Sequence, residues 1–385
     1  MAERLAILSI RLSHFRSYTH GEIKPDGRSV ALHGPNGAGK TNLLEAVSML
    51  VPGRGLRRAA AEEIIRRPEH LGWRVRAVVR TAAGVIEVVT GADGPENTRR
   101  SVEIDGKNAP QIRLGELIRM VWLTPAMDRL WLGAAADRRR FLDRMTLGFI
   151  PTHAEAALGY EKAMRARNRL LKEGSRDDAW LSGLEVQMAR LGARITRSRI
   201  SALNHLKDAQ NGAETLFPKA DLAILGDMET RFSEALRDGE DPDTLEVEQA
   251  AVLAARLASA RARDTAAGWA LDGPHRSDLE AVYAAKAMPA RACSTGEQKA
   301  LLLSLCLANA RALTAETGMA PIVLLDEVSA HLDEARRHAL LSEIETLGAQ
   351  AWMTGTGPEL FEGFSVNAQR FAVTETGGQS VLEPA

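Results

Sequence analysis

The sequence predicts an α/β protein whose head domain is split in two, with an all-helical arm domain inserted between the halves. An apolar strand at 29–33 ends in a glycine-rich turn that opens a helix at 40–50. Ala, Leu, Arg and Glu then recur at helical spacing from about residue 136 to 271. The α/β pattern returns with a strand at 321–325, a helix near 334–346 and a strand at 351–354. We expect the head at 1–140 and 276–385, and the arm at 141–275.

Further strands are predicted before the arm. Apolar residues alternate at 5–12, and short runs at 75–79, 85–90 and 101–104 are separated by Gly, Asp and Asn turns. A last apolar run at 120–123 is closed by Thr124-Pro125. These patterns indicate a small β-rich region between the first helix and the arm.

Length and composition indicate a globular protein. The 385 residues are 45% hydrophobic and 26% charged, which fits one large domain or two of ordinary size. The formal net charge is −1, so any contact with nucleic acid must be a local patch. The two cysteines form no CxxC pair, and no apolar run reaches the length of a membrane span. We expect a reducing, cytoplasmic compartment and no membrane partner.

The turn after the 29–33 strand has the pattern G-x-x-x-x-G-K-[ST] in the strand–turn–helix context of a P-loop. Glycines let successive N–H groups face phosphates, and the helix N-terminus favours an anion. Lys40 is predicted to contact the β- and γ-phosphates of ATP, and Thr41 to bind Mg²⁺. A chance Gly-rich turn is the alternative. The candidate nucleotide-binding residues are Gly34, Pro35, Asn36, Gly37, Ala38, Gly39, Lys40, Thr41 and Asn42.

A second acidic motif ends the apolar strand at 322–325 with Asp326 and Glu327. Asp326 is predicted to hold Mg²⁺ through water, and Glu327 to polarise the attacking water. A solvated strand end is the alternative for this pattern taken alone. Combined with the P-loop, it indicates an NTP-hydrolysing site with Lys40, Asp326 and Glu327 as catalytic residues.

A third motif, Cys-Ser-Thr-Gly-Glu-Gln-Lys at 293–299, precedes a long apolar helix. Ser294, Gly296 and Glu297 would stand at the helix N-terminus, where N–H groups favour a phosphate. An ordinary capping box formed by Ser294 and Glu297 is the alternative, and both can hold at once. The motif resembles the ABC signature, and residues 329–333 resemble the D-loop. That resemblance implies ATP sandwiched between two protomers, and therefore an ATP-bound homodimer.

Four further segments resemble the RecF family among ABC-type ATPases. They are L-x-x-F-R-x-Y at 12–18, a G-R-x-x-R segment at 53–57, an R-R-x-F-L-D segment ending the run at 132–143, and D-G-P-H-R-x-D-L at 272–279. The resemblance implies an ATP-bound dimer that clamps duplex DNA near single-strand gaps and assists RecO and RecR in loading recombinase. It also places Arg16 near the nucleotide.

The sequence departs from the family pattern at several points. Glu327 follows Asp326 where the family has a second Asp, and Pro125-Ala126-Met127-Asp128 replaces Pro-Glu-Asp. No switch histidine is visible, and Thr354 in its place could offer only a neutral hydrogen bond to the γ-phosphate region. We expect slow, DNA-stimulated hydrolysis.

Other classes of protein share parts of this pattern. A transporter ATPase subunit has the three ATP motifs but a smaller insert. A long-armed SMC-like protein is excluded, because about 130 inserted residues in two antiparallel helices reach only about 100 Å. A nucleotide-gated scaffold with negligible turnover stays open as an alternative.

DNA contact is predicted from local concentrations of arginine. Arg54, Arg57 and Arg58, with Arg66 and Arg67 nearby, form one such group. Six further arginines lie on the predicted arm helices: Arg165, Arg167, Arg169, Arg194, Arg197 and Arg199. Solvated helix faces paired with acids are the alternative for any one of them. Backbone contact with duplex is favoured over base stacking, because aromatic residues are only 4% of the chain.

Overall fold

The computed structural model describes residues 4–67, 69–174, 177–327, 332–362 and 368–385. The chain forms two compact units. Unit 1 comprises 1–128, 212–218 and 295–385, and unit 2 comprises 129–211 and 219–294. The chain therefore leaves unit 1 and returns to it, and the boundaries lie at 128/129 and 294/295 where the sequence suggested 140/141 and 275/276.

The strands follow one another in chain order with these bounds: β1 Ala6–Phe15, β2 Tyr18–Ile23, β3 Ser29–His33, β4 Trp73–Thr81, β5 Gly84–Ala92, β6 Ser101–Ile104, β7 Lys107–Asn108, β8 Met120–Leu123, β9 Ala220–Leu225, β10 Asp278–Tyr283, β11 Met288–Pro289, β12 Ile322–Leu325, β13 Ala351–Gly355, β14 Ala368–Thr376 and β15 Gln379–Pro384. The helices are α1 Lys40–Ser48, α2 Ala61–Ile64, α3 Ile112–Leu117, α4 Ala135–Phe149, α5 His153–Lys172, α6 Asp178–Asn211, α7 Asp227–Arg237, α8 Pro242–Ser259, α9 Arg261–Ala267, α10 Thr295–Thr317 and α11 Glu334–Leu347. None of these helices is long and apolar enough to cross a membrane.

The main sheet of unit 1 has the strand order β15-β14-β3-β13-β12-β8. Its neighbours are parallel except for the β14–β15 hairpin. Every residue of β12 and β8 is buried, as expected of parallel strands covered on both faces. The carboxyl ends of β3, β12 and β13 meet at one edge, which is where ligands bind in such sheets.

A second, antiparallel sheet of unit 1 has the order β2-β1-β4-β5-β6-β7. Buried and exposed residues alternate along β4 from Trp73 to Arg76, which leaves one face in the core and one in solvent. On the buried side the rings of Phe15 and Trp73 meet edge to face at 5.5 Å. This core continues into α1, so the sheet supports the helix that opens the P-loop.

Unit 2 corrects the expectation of a wholly helical arm. Its helices α5, α6 and α8 share an apolar core, but β9, β10 and β11 form a three-stranded antiparallel sheet beside them. The residues of β9 alternate buried and exposed, which is a strand pattern within an otherwise helical stretch. That alternation was the available signal for this sheet.

The motifs at 138–143 and 272–279 hold unit 2 together. Arg138 pairs with Asp278 through two 2.7 Å contacts, and Arg199 donates to both oxygens of Asp143. Arg199 also donates to the Pro274 carbonyl at 2.7 Å. These contacts tie both segments to α6, and they explain why the boundaries of unit 2 lie outside the predicted range.

The arginines predicted on the arm fall into two groups. Arg167 and Arg199 are buried in ion pairs, and Arg165 and Arg197 pair with acids at the surface. Arg169 and Arg194 are exposed. Arg167 and Arg199 are therefore structural, and Arg165 and Arg197 have the acidic surface partners of the alternative interpretation.

Candidate nucleotide-binding site

The P-loop joins the end of β3 to the start of α1, where the backbone leaves no room for side chains at two glycines. A Cβ on Gly34, at φ 150°, would lie 2.0 Å from the carbonyl oxygen of Val373. A Cβ on Gly39, at φ 106°, would lie 2.1 Å from the hydroxyl of Ser380. Glycine is therefore required at both ends of the turn, and the α1 N-terminus is left open to an anion.

Lys40 is directed into the loop and is only 4% exposed. Its ammonium donates to the carbonyls of Gly34 at 2.7 Å and Pro35 at 2.9 Å. Burial lowers the pKa of Lys40, and the carboxylates of Glu327 and Asp326 oppose that shift. The charge thus lies inside the predicted phosphate cradle, beside both acidic residues.

The acidic pair lies at the carboxyl end of β12, across from α1. The Thr41 hydroxyl donates a hydrogen bond to Asp326 Oδ1 at 2.8 Å, so a hydroxyl oxygen and a carboxylate oxygen lie side by side. Mg²⁺ prefers such hard oxygen ligands, and it usually takes one or two of them from the protein and the rest from phosphates and water. Thr41 and Asp326 therefore fit a magnesium site completed by a nucleotide.

Glu327 takes a left-handed backbone conformation, with φ 54°. Such a conformation is uncommon for a residue other than glycine, and it is found mainly where surroundings hold it in place. The Glu327 N–H donates to the Thr354 hydroxyl at 2.9 Å, and this contact fixes the turn. The Glu327 side chain consequently lines the cleft next to the P-loop.

Thr354, which the sequence assigned to the γ-phosphate region, has its hydroxyl committed to the two acidic residues. It is fully buried on β13, where its hydroxyl donates to Asp326 Oδ1 at 2.8 Å and accepts from Glu327 N–H. A side chain with both roles filled and no exposure has nothing left to offer a ligand. Thr354 is therefore a support for the acidic pair.

Thr354→Val should lower the rate of ATP hydrolysis about tenfold, because the isosteric methyl removes one of the two hydroxyls that donate to Asp326 Oδ1 and leaves Glu327 N–H without its acceptor. ATP affinity measured without Mg²⁺ should change less than twofold. Thr354→Ser, which keeps the hydroxyl, should restore most of the rate. Steady-state turnover measures the rate, and equilibrium binding measures the affinity. An unchanged rate in the valine variant would show that Thr354 does not support the acidic residues.

The cleft has a volume of about 110 Å³. The lining residues include six of the predicted P-loop positions, together with Glu327 and one arginine: Asn36, Gly37, Gly39, Lys40, Thr41, Asn42, Arg57 and Glu327. Ala38 is buried beneath the loop. Arg57, which sequence reasoning assigned to DNA, lines this cleft as well, and its Nη1 donates to Asn42 Oδ1 at 2.7 Å.

Arg16 is held by a buried acid and does not line the cleft. It has φ 55°, and its guanidinium donates to both oxygens of Glu45, at 2.9 and 2.7 Å. Glu45 lies on α1 and is fully buried, so losing Arg16 would leave its carboxylate with only the longer, 3.5 Å pairing to Arg57. Arg16 thus anchors α1 to the β1–β2 turn, and its contact with the nucleotide stays a prediction.

Two serines that the sequence analysis did not mark form hydrogen bonds with the P-loop and with the first turn of α1. The Ser17 and Ser380 hydroxyls lie 2.6 Å apart; Ser380 donates to the Ala38 carbonyl at 2.6 Å, and Ser17 accepts from the Asn42 amide at 2.7 Å. Ser17 lies inside the segment 12–18 that resembles RecF. Ser380 lies in the β14–β15 hairpin, and no sequence motif marked it.

The signature motif stands at the start of α10. Ser294 and Gly296 are exposed, Glu297 is half-buried, and a Cβ at Gly296 would meet nothing within 4 Å. Within the described part of the chain, the lining of the P-loop cleft includes no signature residue. Residues 329–331 of the predicted D-loop lie outside the described residues.

The other arginines of the predicted DNA group differ in environment. Arg54 and Arg67 are exposed, and Arg58 is exposed with φ 58°. Arg66 is buried, and it donates to the Ser17 and Gly378 carbonyls at 3.0 and 3.2 Å. Arg66 is consequently structural, whereas Arg54 and Arg58 lie at the surface.

The parallel sheet, the P-loop with its acidic partner strand, and the signature at the start of α10 define an ABC-type P-loop ATPase head with an inserted domain. A family model described as the RecF/RecN/SMC N terminal domain matches residues 6–376. The DNA replication and repair protein RecF of Rhizobium etli is 46% identical over 379 residues, which cover 97% of this chain and 99% of that protein. The RecF protein of Brucella suis is 46% identical over 377 residues, which cover 97% of this chain and 95% of that protein. The chain belongs to the RecF family, as the sequence motifs predicted.

Solved structures share the fold. A chain described as the recombination mediator protein RecF-ATP in the RecFOR pathway matches with a TM-score of 0.82 at 23% identity, covering 100% of this chain and 98% of that chain. The Smc head domain of Pyrococcus furiosus, solved with the C-terminal domain of ScpA, matches with a TM-score of 0.55 at 15% identity. The match covers 99% of this chain and 96% of that chain. The predicted α/β class and ABC-type head are confirmed.

Proposed function

We propose that this protein is an ATP-dependent DNA-binding ATPase of replication and recombinational gap repair. ATP binding joins two copies into a clamp on duplex DNA near single-strand gaps, and slow hydrolysis releases it. The clamp assists RecO and RecR in loading recombinase. The names of its relatives, which refer to DNA replication and repair and to the RecFOR pathway, support this role.

The observation that carries the proposal is that Lys40, Thr41 and Glu327 line one cleft while Asp326 is hydrogen-bonded to Thr41 beside it. Lys40 and the α1 N–H groups neutralise phosphate charge, and Thr41 with Asp326 would hold Mg²⁺. When bound, Mg²⁺ neutralises charge on the phosphate oxygens. Glu327 accepts a proton from the attacking water, and Asn36 and Arg57 orient the triphosphate.

Dimerisation is supported by the placement of the signature. Ser294 and Gly296 expose a helix N-terminus, a favourable anion site. Since the lining of the described cleft contains no signature residue, a second copy would supply the signature to the γ-phosphate. A helix cap formed by Ser294 and Glu297 is compatible with that role.

Duplex DNA is proposed to contact Arg54 and Arg58 through its phosphates, with little dependence on base sequence. Guanidinium groups bind phosphates well, and such contacts weaken as salt is added. Arg57, the third arginine predicted to contact DNA, also lines the nucleotide cleft.

A second candidate function is a nucleotide-gated scaffold with negligible turnover. It is favoured by one observation: the residue at the switch-histidine position is Thr354, whose hydroxyl is committed to Asp326 and Glu327 N–H. Turnover with and without duplex DNA separates the candidates, because the scaffold predicts no multiple turnover in either condition.

The proposal is tested by sedimentation mass with and without ATP, in wild type, Lys40→Ala and Ser294→Arg, with duplex DNA added last. Wild type should dimerise only with ATP and then retain DNA. Both variants should stay monomeric, since Lys40→Ala alters the P-loop and Ser294→Arg alters the signature, the two surfaces that would enclose ATP. Ala315→Arg adds the same charge to an exposed position near the other end of α10 and should dimerise normally. A wild type that remains monomeric with ATP and DNA together would show that the signature is merely a helix cap.

A further inference from the structure

Arg100, which precedes β6, lies against the end of the P-loop helix. Its guanidinium donates to the Thr90 hydroxyl at 2.8 Å, to the Gly53 carbonyl at 2.7 Å and to the Val51 carbonyl at 3.3 Å. It also donates to the carbonyl of Met49, the residue that ends α1. The Arg100 guanidinium thus binds three backbone carbonyls in the turn that follows α1.

The contacts of Arg100 are unusual for a half-buried cation. Within the described part of the chain, all its hydrogen-bond acceptors are carbonyl or hydroxyl oxygens, and no carboxylate forms an ion pair with it. Burial lowers the pKa of Arg100 to about 10, so the group is still charged near neutral pH. The C-terminal end of a helix carries partial negative charge and unpaired carbonyls, which compensate a cation there.

The same turn delivers Arg57 to the nucleotide cleft. After Pro52 the chain passes through two left-handed glycines, Gly53 at φ 103° and Gly55 at φ 65°. The Leu56 N–H then donates to the Ser48 hydroxyl at 2.7 Å, and Arg57 follows directly. The segment 49–57 is therefore fixed at its beginning by Arg100 and near its end by α1.

We propose that Arg100 is a positioning residue for the nucleotide site: it shapes the segment 49–57 so that the Arg57 guanidinium meets the phosphates of bound ATP. This inference rests on the proposed function, because it takes the cleft to be an ATP site. Lysine cannot replace arginine here, since a single ammonium cannot span three carbonyls and a hydroxyl in the fixed planar arrangement of a guanidinium. Arg100 acts through Arg57 and does not touch the nucleotide.

The test is a double-mutant cycle on the affinity for a slowly hydrolysed ATP analogue. Arg57→Gln and Arg100→Gln should each weaken binding about tenfold, as expected for loss of one charged phosphate contact. The double variant should be no more than about twofold weaker than Arg57→Gln alone, because the two residues act in series. Arg99→Gln changes the neighbouring exposed arginine and should bind like wild type.

Hydrogen exchange supplies a readout that does not depend on ATP. Exchange across residues 49–58 should rise in Arg100→Gln and in Arg100→Lys, but not in Arg57→Gln. If Arg100→Gln does not fold, Arg100→Lys serves in the same cycle with the same expected direction. Independent losses that add in the double variant, or unchanged exchange at 49–58, would overturn the role of Arg100. Failure of wild type to bind the analogue would instead overturn the proposed function, and the inference with it.

Discussion

Glu327→Gln should lower the turnover number for ATP by a factor of about 10²–10⁴, the range for losing a positioned general base. The amide preserves the size of the side chain, and the backbone contact from Glu327 N–H to Thr354 does not depend on it. What is lost is the ability to take a proton from water. ATP affinity should change less than about threefold, because Lys40 and the loop N–H groups remain.

A variant that binds but does not hydrolyse ATP should accumulate as the dimer. Sedimentation mass after addition of ATP should stay at the dimer value for Glu327→Gln and return to the monomer value for wild type as ATP is consumed. Asp326→Asn is the matched comparison: it alters the neighbouring carboxylate, whose contacts are Thr41 and Thr354, and should weaken Mg²⁺-dependent binding instead. Turnover of Glu327→Gln within threefold of wild type would show that another group activates the water.

The cleft could be predicted because its main residues occur in continuous motifs. The loop at 34–41 and the strand end at 326–327 each fix their own backbone, and parallel strands bring their carboxyl ends together. The structure places Lys40, Thr41, Asp326 and Glu327 at one cleft for that reason; their catalytic roles stay predictions. The family and the split head followed from the same motifs.

Side-chain directions could not be predicted in the same way. Arg16 and Arg57 were assigned by motif and by local charge, but each is directed by a partner on α1, Glu45 for Arg16 and Asn42 for Arg57. Thr354 was assigned by its position after β12, and its hydroxyl is directed by Asp326. These partners are distant in the sequence, so nothing near each residue indicated its direction. The short β9 strand was missed because six alternating residues are a weak signal between long helices.

Arg167→Ala should destabilise unit 2 by roughly 3–5 kcal/mol, the cost of removing one partner of a buried ion pair. Arg167 is fully buried on α5, and its guanidinium donates to Glu185 at 3.0 Å, to Asp264 at 2.7 Å and to the Leu257 carbonyl at 2.7 Å. Glu185 would keep its pairing with Arg261. The Asp264 side chain is fully buried, so its carboxylate would lose its 2.7 Å donor without water to replace it.

Arg165→Ala is the matched control, since Arg165 lies two residues earlier on α5, is 73% exposed and pairs with Glu161 at the surface. It should cost less than about 0.5 kcal/mol, because exposed ion pairs contribute little. Urea denaturation measures both free energies, and hydrogen exchange should localise the loss in Arg167→Ala to α5, α6 and α9. Because a domain is stable by only about 5–15 kcal/mol, the alanine variant should unfold unit 2 well below the wild-type urea midpoint. Equal midpoints for the two variants would mean that Asp264 finds another partner, and that the buried ion pairs are not what holds α5 to α9.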